Sequence, residues 1–100
     1  MQAEAIIDGM EIFYGTHVLA RMFQRQIKVE KVRAVLTHGE TIEDYSDEMP
    51  SPSRLILGWR GKRLFHIVAA LNPPEDELIV ITVYEPDPAL WSHDFRKRKS

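Results

Sequence analysis

The chain of 100 residues contains no cysteine, which excludes disulfide scaffolds, thiolate zinc sites and cysteine nucleophiles. Long hydrophobic runs are also missing, because the longest apolar stretches, Ile67–Leu71 and Leu78–Tyr84, have only the length of strands. The first residues lack the basic head and apolar stretch of a secretory signal. We therefore expect a cytoplasmic protein without a membrane-spanning segment.

Several familiar catalytic motifs are absent as well. The sequence has no glycine-rich phosphate loop, no Gly-x-Ser-x-Gly elbow and no pair of histidines at metal-binding spacing. The acidic stretch Glu43–Glu48 lacks the ligand spacing and the central glycine of a calcium loop, and is more typical of a solvated loop. We therefore expect neither a cofactor nor a bound metal.

The composition is that of one globular domain, with 44% hydrophobic and 28% charged residues. We predict a single domain over residues 1–100, with flexible ends at residues 1–9 and 97–100. The net charge is only −2, but the charges are segregated along the chain. Basic stretches at 16–38, 54–63 and 93–100 alternate with acidic stretches at 40–48 and 75–87. Such segregation allows either a basic binding face or ordinary solvated surfaces.

The hydrophobic periodicity predicts an α+β fold with the order β-α-α-β-β-β-β-α, in which three helices pack on a mostly antiparallel sheet. The predicted elements are a strand at Met10–Tyr14, helices from Thr16 to about Gln26 and from Val29 to Gly39, strands at Glu40–Tyr45, Arg54–Arg60, Lys62–Leu71 and Leu78–Tyr84, and a last helix from Asp87. Loops are predicted at Ser46–Ser53 and Asn72–Asp76.

Local signals mark the ends of these elements. Thr16 is a predicted N-cap, Gly39 a helix stop, and Gly61-Lys62 a two-residue hairpin with glycine in the first position. Asp87-Pro88 is a typical helix start, and Trp91 and Phe95, four residues apart, give that helix an inward face.

The packing pattern adds two expectations. The apolar residues of the first helix are expected to face the core: Val18, Leu19, Met22 and Phe23. The strand Leu78–Tyr84 is apolar at successive positions, which predicts a central strand covered on both faces.

The most informative motif is His17-x-x-x-Arg21-x-x-x-Arg25, since this spacing stacks the three side chains on one helix face. A histidine in the first helical turn beside an arginine favours the neutral imidazole, which accepts a proton. Cleavage of RNA by its own 2′-hydroxyl needs a base, a cationic phosphate clamp and an acid. His17, Arg21 and Arg25 are therefore candidate catalytic residues; the alternative is an ordinary solvated helix face.

Two further residues are candidate proton carriers. His66 lies within a predicted strand, where a buried, hydrogen-bonded histidine is the favoured interpretation. On an open sheet face, His66 would instead pair with His17 as acid and base. Tyr84, at the end of a strand, would supply a proton, stack on a base or simply pack. Candidate RNA-binding cations, with a solvated surface as the alternative, are Arg54, Arg60, Lys62, Arg63, Arg96 and Lys97.

Several segments together resemble the bacterial "domain of unknown function 4258" family over about Phe13 to Phe95. These segments are His17-x-x-x-Arg21-Met22-x-x-Arg25, Gly39-Glu40-x-Ile42-x-x-Tyr45, Pro52-Ser53-Arg54-Leu55 and Ile81-Thr82-Val83-Tyr84-Glu85-Pro86-Asp87. The family is similar to RelE-like and BrnT-like toxins, which implies a RelE-toxin-like fold. The resemblance also implies a type II toxin, usually an endoribonuclease that works without metal.

The leading hypothesis is therefore a metal-independent endoribonuclease toxin that acts on free or ribosome-associated RNA. Its expected partner is a cognate antitoxin that covers basic surface, and a homodimer is a further expectation. The alternatives are a non-enzymatic protein-binding module and a catalytically inactive toxin-like partner protein.

Overall fold

The structure, a computed structural model, describes residues 10–45, 52–72 and 77–99. Five strands form one mixed sheet in the order β1-β5-β4-β3-β2, in which β1 pairs parallel with β5 and the other three pairings are antiparallel. The elements are β1 (Glu11–Tyr14), α1 (Thr16–Gln24), α2 (Val29–His38), β2 (Glu40–Tyr45), β3 (Ser53–Arg60), β4 (Arg63–Asn72) and β5 (Glu77–Tyr84). The α+β class and the order of these seven elements are confirmed.

Both helices pack on one face of the sheet, which we call the helix face. The core there joins Val32, Val35 and Leu36 of α2 to apolar residues of β3, β4 and β5. Gly58 of β3 permits the close approach of α2, because a Cβ at this position would lie 2.9 Å from a methyl carbon of Val35. Side chains alternate between the two faces of a strand, so the residues between these core positions point to the second face.

The ends of α1 differ from the prediction at the N-terminus. Gly15 is the N-cap, and Thr16 is the first helical residue. At the C-terminus, the N–H of Ile27 donates to the carbonyl of Met22 at 2.8 Å and the N–H of Gln26 donates to that of Phe23 at 3.1 Å. This is the Schellman pattern, in which the residue before the last donor takes the left-handed conformation. Gln26 does so with a φ of 58°.

The apolar residues of α1 divide between the core and the surface. Met22 is buried and Val18 packs partly against the core, as predicted. The expectation that Leu19 and Phe23 also face the core is wrong, since their exposed fractions are 42% and 86%. Four apolar residues in two turns cover more of the helix circumference than one sheet face can bury.

The β3–β4 hairpin has the predicted turn. Arg60 pairs with Arg63 across Gly61-Lys62, and Gly61 has the expected positive φ of 63°. The prediction for β5 is only partly correct, because β5 is a central strand but is not covered on both faces. Ile79 and Ile81 are 41% and 48% exposed. A register shift in the β4–β5 pairing also leaves Ile81 without a partner in β4.

The predicted C-terminal helix does not form. Asp87 begins a turn as expected, since its carboxylate accepts from the N–H of Ala89 and its carbonyl accepts from that of Leu90. The chain then folds back on itself, and Trp91 bridges to Arg98. Trp91 is buried at 3% exposure on the second face, so tertiary packing of this side chain replaces the helix. We call residues 86–99 the C-terminal segment.

The predicted flexible end at residues 1–9, Ser100, most of the predicted loop at Ser46–Ser53 and residues 73–76 of the predicted turn lie outside the described residues. None of the helices that the structure describes is long and apolar enough to cross a membrane.

We expect the substitution Gln26→Gly to stabilise the protein by about 0.5–1 kcal/mol, because glycine adopts a positive φ without the steric cost of a Cβ. Gln24→Gly is the matched control: Gln24 is the last residue of α1, and glycine there should destabilise by up to about 1 kcal/mol. Urea unfolding of both variants measures the difference. Equal destabilisation by the two substitutions would contradict the role assigned to Gln26.

Candidate functional site

An open cleft of about 210 Å³ lies between α1 and β5. His17, Arg21 and Arg25 line it from the helix, together with Val18, and the chain of β5 contributes Ile81, Thr82 and Val83. The helical spacing of four residues places the three polar side chains in one row. The structure thus brings His17, Arg21 and Arg25 together, on the flank of α1 next to its buried stripe.

The position of the cleft follows from the shortness of β1. This strand pairs with β5 only as far as Val80, and the chain then turns away into α1. The edge of β5 beyond Val80 therefore faces the cleft, where its backbone groups need other partners. Arg25 supplies one, since its Nη1 donates to the carbonyl of Val83 at 2.7 Å. This bond holds Arg25 in place, while the exposed His17 and Arg21 lie farther along the same row.

His66 lies on the second face, between Phe65 and Ile67, whose side chains belong to the helix-face core. The imidazole is completely buried. Its Nε2 lies 3.0 Å from the carbonyl of Phe95, and its Nδ1 lies 3.2 Å from the hydroxyl of Tyr84. A carbonyl only accepts, so Nε2 carries the proton, and the neutral ring accepts at Nδ1 from the Tyr84 hydroxyl. Burial lowers the pKa of His66, which favours this neutral form.

Other polar and aromatic side chains surround the His66–Tyr84 pair. Trp91 contacts the imidazole edge-on with ring centroids 4.4 Å apart, and the guanidinium of Arg98 lies over the Trp91 ring at 5.0 Å. Burial and a hydrogen bond with Glu43 raise the pKa of Tyr45 to about 12. Burial also raises the pKa of Tyr84. Both phenols are therefore protonated at neutral pH.

The predicted catalytic residues thus fall into two groups on opposite faces of the sheet. The cleft holds His17, Arg21 and Arg25 on the helix face, whereas His66 and Tyr84 lie on the second face beneath and beside the C-terminal segment. The structure does not bring His17 and His66 together. The surroundings of His66 agree with its interpretation as a buried, hydrogen-bonded histidine.

Arg63, a candidate RNA-binding cation with a solvated surface as the alternative, makes several hydrogen bonds within the protein. Its guanidinium donates to both carboxylate oxygens of Glu85 at 2.9 and 3.1 Å, to the carbonyl of Gln26 at 2.8 Å and to that of Arg25 at 3.1 Å. It also lies 4.9 Å from the ring centroid of Phe65. Arg63 therefore joins β4, the chain after β5 and the turn that ends α1.

The other predicted RNA-binding cations are distributed over β3, the β3–β4 turn and the C-terminal segment. Arg54 faces Asp44 across β2 and β3 at 3.9 Å, and Arg96 binds both carboxylate oxygens of Glu40, the shorter contact being 2.6 Å. Arg60 donates to the carbonyl of its neighbour Trp59. Lys62 and Lys97 are exposed, at the hairpin turn and in the C-terminal segment.

Sequence reasoning missed several residues at both places. Thr82 lines the cleft, and Glu43, Tyr45 and Arg98 lie around Tyr84. Glu43 and Tyr45 reach the second face only through the register of β2 on β3. That register includes a shift in the β2–β3 pairing at Ile42. Within the ranges that the structure describes, no three histidine, aspartate or glutamate side chains lie together as metal ligands would.

A family model for a domain of unknown function (DUF4258) matches residues 14–85. The chain therefore belongs to this family, and the predicted membership of the domain of unknown function 4258 family is confirmed. The matched region contains the cleft, His66, Tyr84 and Glu85, and it ends before the C-terminal segment. No curated protein and no solved structure matches the chain significantly.

We expect Arg63→Lys to destabilise the fold by about 1–2 kcal/mol, because an ammonium group cannot reach two carbonyls and a carboxylate at once. Solvent screens part of this interaction, since the Arg63 side chain is 36% exposed. Arg60→Lys is the control at the same hairpin. Urea unfolding measures the loss, and amide exchange at Ile27 shows whether the turn after α1 opens. Equal effects of the two substitutions would refute the bridging role.

The buried neutral His66 predicts a pH dependence of stability. Its pKa is lowered in the folded state, so the unfolded chain binds more protons once the pH falls below about 6.5. The free energy of unfolding should therefore hold above pH 6.5 and fall as the pH drops below about 6.5, by at most about 1.4 kcal/mol per pH unit. His66→Gln keeps a donor for the Phe95 carbonyl and should flatten this slope. The same slope in His66→Gln would assign it to another group.

Proposed function

We propose that the protein is an endoribonuclease that cleaves RNA through attack of the 2′-hydroxyl, without a metal ion, at the cleft between α1 and β5. The observation that carries the proposal is that His17, Arg21 and Arg25 line this one cleft. A proton acceptor and two cations are the groups that such a reaction uses. An open cleft also admits a chain-like substrate from the side.

The residues have distinct roles in this proposal. His17 accepts the proton of the 2′-hydroxyl as its oxygen bonds to phosphorus. Arg21 stabilises the charge that develops on the phosphoryl oxygens. Arg25, fixed by the Val83 carbonyl, positions the edge of β5 and adds positive charge.

The bond from phosphorus to the 5′-oxygen breaks in the same reaction, and the leaving oxygen takes a proton. Water can supply it because the cleft is open to solvent. His66 and Tyr84 do not take this role at the cleft, since their hydroxyl–imidazole contact lies on the second face. They position the C-terminal segment instead.

Type II toxins are the functional class that this activity suggests. The resemblance to RelE-like and BrnT-like toxins and the segregated charges support a cytoplasmic toxin with a RelE-like fold and a cognate antitoxin as partner. A binding module without catalysis is the second candidate function, because Phe23 and Leu19 expose apolar surface on the other flank of α1.

We expect expression of the chain alone to arrest growth and degrade RNA, and His17→Ala and Arg21→Ala to abolish both effects. Residual cleavage by either variant should be at least about a hundredfold slower, the range of a lost proton-transfer group or charge-stabilising donor. Growth is followed together with RNA integrity, and cleavage of purified RNA is measured with chelator present.

His38→Ala is the matched control, because His38 is exposed in the last turn of α2. This variant should stay fully toxic. Tyr84→Phe should also remain active if the reaction takes place at the cleft. Inactive native chain that is shown to be folded would refute RNA cleavage and favour the binding module. Loss of activity in Tyr84→Phe, with His17→Ala active, would move the reaction to the second face.

A further inference from the structure

A second concave surface lies at the other side of α1, where the helix ends and the chain turns into α2. This groove of about 720 Å³ is lined by Met22, Phe23, Gln24, Gln26, Ile27 and Lys28. None of these residues lines the cleft of His17. We call it the helix-turn groove.

The helix-turn groove has an apolar floor and an apolar wall. Met22 and Ile27 are core residues with 2% and 4% exposure, so only their outermost atoms form the floor. Phe23 projects beside them with 86% exposure, the highest among the large apolar residues that the structure describes. Leu19, one turn earlier on the same flank, is 42% exposed. An apolar pocket flanked by an exposed aromatic side chain is typical of a site that receives an apolar anchor.

The groove is held in shape before any partner binds. The Schellman hydrogen bonds fix the turn from Phe23 to Ile27, and Arg63 holds the carbonyls of Arg25 and Gln26 while Glu85 holds Arg63. A preformed groove loses little conformational entropy on binding.

The charges near the helix-turn groove bear on its occupant. Residues 16–38 carry five basic residues and one acid, Glu30, and two of the bases, Arg21 and Arg25, line the cleft on the other flank of α1. Lys28 lines the groove itself. An acidic segment is therefore complementary, whereas a second copy of this chain, seated on the same surface, would bring Lys28 against Lys28.

We infer that the helix-turn groove binds an acidic segment of a partner protein, which inserts one or two bulky apolar side chains against Met22, Phe23 and Ile27. This inference rests on the proposed function, because it assigns the proposed antitoxin partner a binding surface on this chain and an acidic, apolar binding segment. A protein segment is favoured over a membrane or RNA, because Met22 and Ile27 expose only a small part of their surface, while the polar side chains Gln24, Gln26 and Lys28 line the groove beside them.

A displayed library of random peptides of about four helical turns tests the inference on the full folded chain. Selected binders should be enriched in acidic residues and carry paired bulky apolar residues. A synthetic peptide of the selected sequence should bind at least about tenfold more weakly to Phe23→Ser and to Lys28→Glu. Its affinity should also fall as the salt concentration rises.

Two control variants separate this result from other effects. Leu90→Ser changes an apolar residue of 53% exposure in the C-terminal segment and should leave the affinity unchanged, as should His17→Ala. Unchanged peptide binding by His17→Ala distinguishes failure of the groove from failure of RNA cleavage, because His17 belongs to the cleft and not to the groove.

The inference is overturned if the library yields no binders, or yields binders that are not acidic or bind Phe23→Ser as well as the native chain. It is also overturned if Phe23→Ser abolishes binding of anionic vesicles or of single-stranded RNA instead, since the groove would then serve a membrane or a nucleic acid.

Discussion

The arrangement of this protein depends on where β1 stops. Four residues of β1 pair with β5, and the backbone edge of β5 beyond Val80 is then left to other partners. Unpaired strand edges must be satisfied or exposed to water. Here α1 crosses the helix face beside that edge, and Arg25 donates to the Val83 carbonyl. The same geometry that leaves the edge open therefore creates the cleft and places a row of polar side chains along it.

A second constraint fixes the other end of α1. Arg63 links the carbonyls of Arg25 and Gln26, in the turn after α1, to Glu85, which follows β5 directly. The β3–β4 hairpin, the end of β5 and the α1–α2 turn are therefore joined through this one side chain. The cleft lies on one flank of α1 and the helix-turn groove on the other. Both surfaces therefore depend on the position of this one helix. The two surfaces share no lining residue. A ligand in the cleft and a ligand in the helix-turn groove would therefore exclude each other only if the ligands themselves overlapped in space.

The sequence predicted the features that depend on local chemistry. Gly61-Lys62 specified the hairpin, because only a residue tolerant of a positive φ suits its first position. The row of His17, Arg21 and Arg25 followed from helical spacing alone. Features that depend on distant partners were missed. Asp87 starts its turn as the local signal requires, but burial of Trp91 against His66 decides the path of the chain that follows. The exposure of Phe23 likewise depends on how much of α1 the sheet can cover.

The separation of His17 from His66 shows why residue type alone could not define the site. Both are histidines beside aromatic or basic neighbours, and either could carry a proton. The strand alternation places His66 on the second face, where both ring nitrogens are already hydrogen-bonded and no lone pair is left for a substrate. His17 is exposed at the start of α1 in a cleft with two arginines. A proton-transfer group must be accessible to the substrate, and of these two histidines only His17 meets that requirement.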